Sequence, residues 1–142
     1  MLIRKATIED LPGIISFVDY WLAGRGKGRG ERLAGNDYFI SPRQHRKYIN
    51  HYDVVLAISQ QSIVGWAVKQ HQQTLIHLLI DGNFRGRGIG IRLLKALDPR
   101  LIRCKTDQQT GDPTSFFEKH GYKRLSNIKI GRRRQISLLT DL

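Results

Sequence analysis

The chain has 142 residues, enough for one domain (1–142) and too few for two, and its 40% apolar and 8% aromatic content supplies a core. Lys plus Arg is 24 against 12 Asp plus Glu, a formal charge of +12 that favours acidic partners: phosphorylated cofactors, nucleic acid or anionic lipid. A single cysteine, Cys104, excludes an internal disulfide and a cysteine metal cluster, the opening MLIRKATIED lacks the apolar stretch of a signal peptide, and no apolar run is long enough for a bilayer, so the expectation is a cytoplasmic protein without metal or membrane attachment.

Leu2 to Ala6 reads as a first strand. Thr7 is placed to cap a helix, with Glu9 and Asp10 at its positive end and Leu11, Ile14, Ile15 and Val18 on one buried face as far as Trp21 or Leu22. The next stretch, Ala23 to Asp37, carries Gly24, Gly26, Gly28, Gly30 and Gly35 among Arg25, Lys27, Arg29 and Arg32. Glycine at alternate positions forbids a stable helix, so this is a loop. Three roles stay open for its basic part, 24–32: contact with a nucleic-acid backbone or ribonucleoprotein, a lid over an acceptor site, or a solvated linker.

Ser41-Pro42 starts a basic helix over about 42–51. Strands follow at Val54–Ile58, Ile63–Val68 and Thr74–Ile80, the last nearly all apolar and therefore central. A glycine-rich turn, Asp81 to Gly88, leads into a helix with Ile91, Leu93, Leu94 and Leu97, which Asp98-Pro99 ends. Leu101 to Lys105 is a strand and Thr106 to Asp112 a polar loop. Asp112-Pro113 opens a short helix with Phe116 and Phe117, stopped at His120-Gly121. Two strands close the chain, near 122–130 and 134–139, with Arg132-Arg133-Arg134 in the turn between them. The order β-α-α-β-β-β-α-β-α-β-β describes an α/β (α+β) fold. Its mixed, mostly antiparallel sheet has six or seven strands, with helices on both faces.

The chemistry concentrates between Leu75 and Leu97. An apolar strand runs into Arg85-Gly86-Arg87-Gly88-Ile89-Gly90 and a helix begins at once. Free amides at a helix start, glycines that allow close approach and two arginines make a phosphate or pyrophosphate cradle. It is not a P-loop, which needs Gly-Lys-Ser/Thr. Nor is it the dinucleotide fingerprint, which needs glycine where Ile91 stands.

The run Ile80-Asp81-Gly82-Asn83-Phe84-Arg85-Gly86-Arg87-Gly88-Ile89-Gly90 resembles the coenzyme A signature of the GNAT N-acetyltransferase superfamily, with Gly82 in place of the usual proline. Phe116-Phe117-Glu118-Lys119-His120-Gly121-Tyr122 resembles the family's F-Y-E-K-x-G-F segment, and the element order is also the family's. The resemblance implies an acetyl-CoA-dependent N-acetyltransferase acting on a primary amine by direct attack. The backbone amides of Arg85 through Gly90 would hold the pyrophosphate. Leu78, Leu79 and Ile80 would pair with the pantetheine as an added strand, and the Ile80 N–H would stabilise the oxyanion.

Two further positions depart from the family. Phe117 stands where a tyrosine usually protonates the leaving thiolate, and Thr110 where an asparagine often contacts the cofactor. His77 is the best-placed histidine for a base, although strict alternation turns it away from Leu78 and Ile80. His45, His51, His71 and His120 form no metal-like group, and Tyr122, Trp21 and Trp66 read as packed residues. The charge points to an acidic or nucleic-acid-associated acceptor, met by a monomer or homodimer. The rival reading is a GNAT-like module, catalytically weak or inactive, that binds coenzyme A or nucleic acid.

Overall fold

The computed structural model describes residues 1–22, 40–71, 73–107, 113–130 and 134–142. The basic loop at 24–32, Thr110, Asp112 and the arginines 132 and 133 lie outside the described residues.

The chain opens with β1 (Leu2–Lys5), then a 3-10 turn (Ile8–Asp10) that continues into α1 (Leu11–Leu22). The cap at this start is built around Asp10. Its carboxylate accepts from the Thr7 amide at 2.8 Å and from both terminal nitrogens of Arg4, each at 2.8 Å. The paired guanidinium holds the Asp10 carboxyl down to about 2.

Ser41 caps α2 (Pro42–His51) by accepting from the Gln44 amide at 3.1 Å, with proline at the first helical position, as the sequence predicts. β2 (Asp53–Ser59), β3 (Ser62–Lys69) and β4 (Thr74–Ile80) form a meander. Next come α3 (Ile89–Leu97), β5 (Leu101–Asp107), α4 (Thr114–Lys119), β6 (Lys123–Ile130) and β7 (Arg134–Thr140). The order of strands and helices is the predicted one.

The seven strands lie in the order β1-β2-β3-β4-β5-β7-β6, antiparallel throughout except for β4 beside β5. Each face buries its own cluster. On one, Ile14, Val18 and Trp21 of α1 and Tyr48 of α2 pack on Val54, Leu56, Trp66, Val68 and Leu79. On the other, Ile89, Leu93, Leu94 and Leu97 of α3 and Phe117 of α4 pack on Ala57, Leu75, Ile102, Cys104 and Leu139. The helical repeat of α3 therefore sets one whole face of the helix into the sheet. Gly65 lets it come close: a Cβ there would stand 2.9 Å from Leu93 Cδ1 and 3.1 Å from Ile89 Cγ2. Among the described residues, no helix is long and apolar enough to cross a membrane.

Strict alternation fails at one point in β4. Val68 pairs with His77 but Lys69 with Leu75, so Ile76 is an extra residue, a bulge. Leu75 consequently joins the α3 cluster, while Ile76 and Leu79 join the α1/α2 cluster.

Candidate active site

The parallel pairing of β4 and β5 is brief. Only Thr74 with Leu101 and Leu75 with Ile102 are in register. Beyond the bulge β4 runs on to Ile80 and β5 to Asp107 without pairing, so the sheet opens into a cleft between them. Which backbone groups face the cleft follows from the ladder on the other side. The Asp81 amide donates to the Val64 carbonyl at 2.9 Å, and the register places Trp66 opposite Leu79 and Val68 opposite His77. Antiparallel strands turn alternate residues toward their partner, so the amides of His77 and Leu79 point to β3. Those of Leu78 and Ile80 point into the cleft.

The cleft ends at the turn before α3. Asp81 shapes it: its side chain accepts from the Asn83 amide at 2.8 Å, and its carbonyl from the Phe84 amide at 2.9 Å. Gly86 and Gly88 then adopt left-handed backbone, with φ of +78° and +79°. A Cβ at Gly86 would meet nothing within 4 Å, and one at Gly88 only Ile91 Cγ2 at 4.0 Å. Left-handed conformation rather than crowding requires glycine at both. The result is a run of residues exposed from Arg85 to Gly88. The first bond of α3 from this loop is Arg92 N–H to the Gly88 carbonyl at 3.2 Å, so the amides of Ile89, Gly90 and Ile91 precede the helical ladder. The first turn holds no acidic residue. The guanidinium of Arg87 lies 4.8 Å from the ring centre of Phe84, which steadies a positive charge at the rim. Gly90 has a packing duty as well: a Cβ there would approach Phe116 Cζ to 3.2 Å.

Gly82, the residue in the proline position, is explained by α1. A Cβ at Gly82 would stand 2.7 Å from Cζ3 and 3.0 Å from Cη2 of Trp21, a ring only 5% exposed. Proline and alanine both carry that carbon. Gly82→Ala is expected to cost about 2 kcal/mol through overpacking, read as a melting temperature lower by roughly 5 °C. A variant melting with the parent would show that Trp21 yields freely.

The side chains expected at the site fall on two faces. Leu78 and Ile80 pack on the α3 cluster. His77 lies on the opposite face, stacked on Trp66 with ring centres 5.0 Å apart and planes at 25°. Its Nε2 is 3.1 Å from the Tyr48 hydroxyl. Phe117 is buried beside Ile102 and Cys104, edge-on to Phe116 at 5.1 Å and to Tyr122 at 6.4 Å. Tyr122 is itself fixed by its hydroxyl, which donates to the Pro99 carbonyl at 2.5 Å. Trp21 and Trp66 are both core residues.

His45, which the sequence places in a run of basic residues and outside any metal-like group, is a core residue. It is 1% exposed, lies 5.6 Å from the Trp66 ring, and its Nε2 has no hydrogen-bond partner among the described residues. Burial pushes its imidazole down to about 4. The signal was its helical spacing with Tyr48 and Ile49, the inward positions of α2, and with Tyr52 just after its end.

Comparison with known proteins agrees with this architecture. The profile of the acetyltransferase (GNAT) domain matches residues 25–134. The structure is similar to a GCN5-related N-acetyltransferase from Rhodopseudomonas palustris, with TM-score 0.72 and 16% identity over 98% of this chain and 93% of that one. It is similar also to the ribosomal-protein-alanine N-acetyltransferase of Brucella melitensis, with TM-score 0.69 and 19% identity over 98% of each chain. An aminoglycoside 6'-N-acetyltransferase solved with coenzyme A aligns with TM-score 0.70 and 15% identity, covering 100% of this chain and 98% of that one. No curated protein matches the chain by sequence.

Proposed function

The chain belongs to the GNAT acetyltransferase family, and from that membership we propose that it transfers an acetyl group from acetyl-CoA to a primary amine. One observation carries the proposal: the Leu78 and Ile80 amides face a cleft in the sheet that ends at the left-handed glycines 86 and 88. A strand-like arm carrying a diphosphate at one end fits such a track. Bound there, acetyl-CoA supplies a thioester carbonyl carbon: the amine nitrogen bonds to it, the carbon–sulfur bond breaks, sulfur leaves as thiolate and nitrogen gives up a proton.

The residues of this chain do the binding and orienting. The amides from Arg85 to Gly90 would hold the pyrophosphate, with Arg85 and Arg87 adding charge at the rim. Leu78 would pair with the pantetheine amides as a missing strand does, and Leu79 anchors β4 from the opposite face. The Ile80 N–H would donate to the carbonyl oxygen where negative charge gathers. Direct attack requires proximity more than a nucleophilic side chain. The charge of +12 favours an acceptor that is acidic or joined to nucleic acid.

Phe117 supports a second reading, a module that binds coenzyme A with weak or no turnover, because phenylalanine donates no proton. Two measurements decide. Calorimetry with acetyl-CoA tests the cradle, and release of free thiol with a mixed pool of amines, peptides and charged tRNA tests the transfer. Heat without thiol release leaves only the module; no heat removes both. Phe117→Tyr is expected to raise turnover about tenfold, less than general acids usually give because a thiolate leaves readily. Unchanged turnover would mean that another group already serves as the acid, or that a hydroxyl at this position, buried beside Ile102 and Cys104, does not reach the thiolate.

A further inference from the structure

The outer face of α2 is basic in a regular way. Arg43, Arg46, Lys47, Asn50 and His51 are all exposed. They recur at intervals of three and four residues, so they share one stripe along about 12 Å of helix. The helix contains no acidic residue, and none of its basic side chains forms an ion pair among the described residues. The arrangement works against the helix itself. Arg43 stands in the first turn, where the dipole is already positive. Arg43 also repels Arg46 and Lys47, three and four residues on. A stripe that opposes its own helix is explained by an anion that neutralises it.

The composition of the face separates the classes of polyanion. Protein partners need an apolar or aromatic anchor that buries at the centre of the contact. Among the described residues, the exposed large hydrophobic ones are Met1, Leu2, Ile8, Tyr20, Leu125 and Leu142, and none lies on α2. Its one aromatic besides histidine, Tyr48, packs inward, as does Tyr52 just after its end. Charge at regular spacing without stacking rings suits phosphates of a stem rather than splayed single-stranded bases.

We infer that this stripe docks the phosphate backbone of an RNA stem. The choice of RNA rests on the acetyl-transfer reading, because an amino acid esterified to an RNA end presents a free, nucleophilic α-amine, whereas DNA carries only the weakly nucleophilic exocyclic amines of its bases. Placement agrees: the inner face of α2 reaches β4, the strand that borders the cleft, through the Tyr48–His77 contact of 3.1 Å.

The test compares two triple variants of equal charge by fluorescence anisotropy with a labelled RNA hairpin. Arg43→Gln, Arg46→Gln and Lys47→Gln together are expected to weaken binding at least tenfold near physiological salt. They should also flatten the slope of log K against log salt by about two. The control, Lys5→Gln, Lys119→Gln and Lys123→Gln, also exposed, is expected to change affinity by less than about twofold. If the α2 triple does not fold, Arg46→Gln alone carries the test with a loss of about threefold. Equal losses in both triples would overturn the inference, since net charge then suffices. Polyglutamate binding as tightly as the hairpin, or no binding by the parent, would overturn it too. Acetyl-CoA calorimetry run on the same variants keeps the two readings apart: lost RNA binding with normal cofactor heat concerns α2 alone, and absent cofactor heat with intact RNA binding concerns the acetyl-transfer reading alone.

Discussion

Gly88→Asp is expected to abolish the calorimetric signal with acetyl-CoA, weakening binding by at least a hundredfold, while costing the fold only about 1 kcal/mol. The two effects have separate causes. The backbone at Gly88 has φ +79°, where any side chain is strained, and that strain is the stability cost. Space is not the obstacle, because the new Cβ would meet only Ile91 Cγ2 at 4.0 Å. The loss of binding comes from a carboxylate at the N-terminus of α3, beside the amides of Ile89, Gly90 and Ile91, where it occupies the donors and repels a diphosphate. Gly88→Ala isolates the first cause, sharing the strain without the charge, and is expected to bind more weakly than the parent but far better than the aspartate. Parent-like affinity in Gly88→Asp would mean that the diphosphate is held elsewhere. The cradle, and with it the acetyl-transfer reading, would then have no support from this loop.

Much of this architecture was legible in the sequence because the signals were local. Ser41-Pro42 starts α2 by the chemistry of its own first turn, and the apolar repeat of α3 faces the core wherever the helix docks. The phosphate cradle was legible for the same reason: Gly86 and Gly88 answer to backbone conformation inside six residues. What stayed hidden depends on partners distant in the chain. The bulge at Ile76 exists only as a mismatch between β3 and β4, and it puts Leu75 on the face that alternation assigns to its neighbours. The reason for glycine at 82 lies in Trp21, on another helix. The cleft itself is a pairing that stops after Leu75, and neither strand ends there. Phe117 shows the limit of a motif: its place was readable, but its neighbours in the core come from β5 and the segment after α4.

Stability is expected to fall by about 2 kcal/mol between pH 7 and pH 5, with His45 as the cause. Its ring lies between α2 and the sheet, beside Trp66 and Tyr48, with Asp19 of α1 as the charge that partly offsets burial. Folded, the imidazole titrates near 4, whereas in the unfolded chain it takes its ordinary value of 6.5. Between those values the unfolded state binds the proton and the folded state does not, so acid favours unfolding. The loss begins as pH drops through 6.5, approaches about 3 kcal/mol near pH 4, and then levels off for this group. Asp10 acts in a lower window. Its carboxyl is held near 2 by Arg4 against an ordinary 3.8, so its contribution is fully present above that value and disappears as pH falls toward 2. Urea titrations at pH 7 and pH 5 therefore read His45 with Asp10 still ionised. His45→Leu is expected to remove most of the difference and to stabilise the protein at pH 7 by about 1 kcal/mol, since a buried nitrogen without a partner is replaced by carbon. If the leucine variant keeps the full acid loss, the proton goes to another group. If the parent shows no loss, the imidazole is not held neutral. The same experiment bears on the cleft, because α2 carries both His45 and Tyr48, and Tyr48 holds His77 at the edge of β4. A protein that loosens α2 in acid should lose the Tyr48–His77 bond before the sheet melts, seen as earlier amide exchange in α2 than in β3.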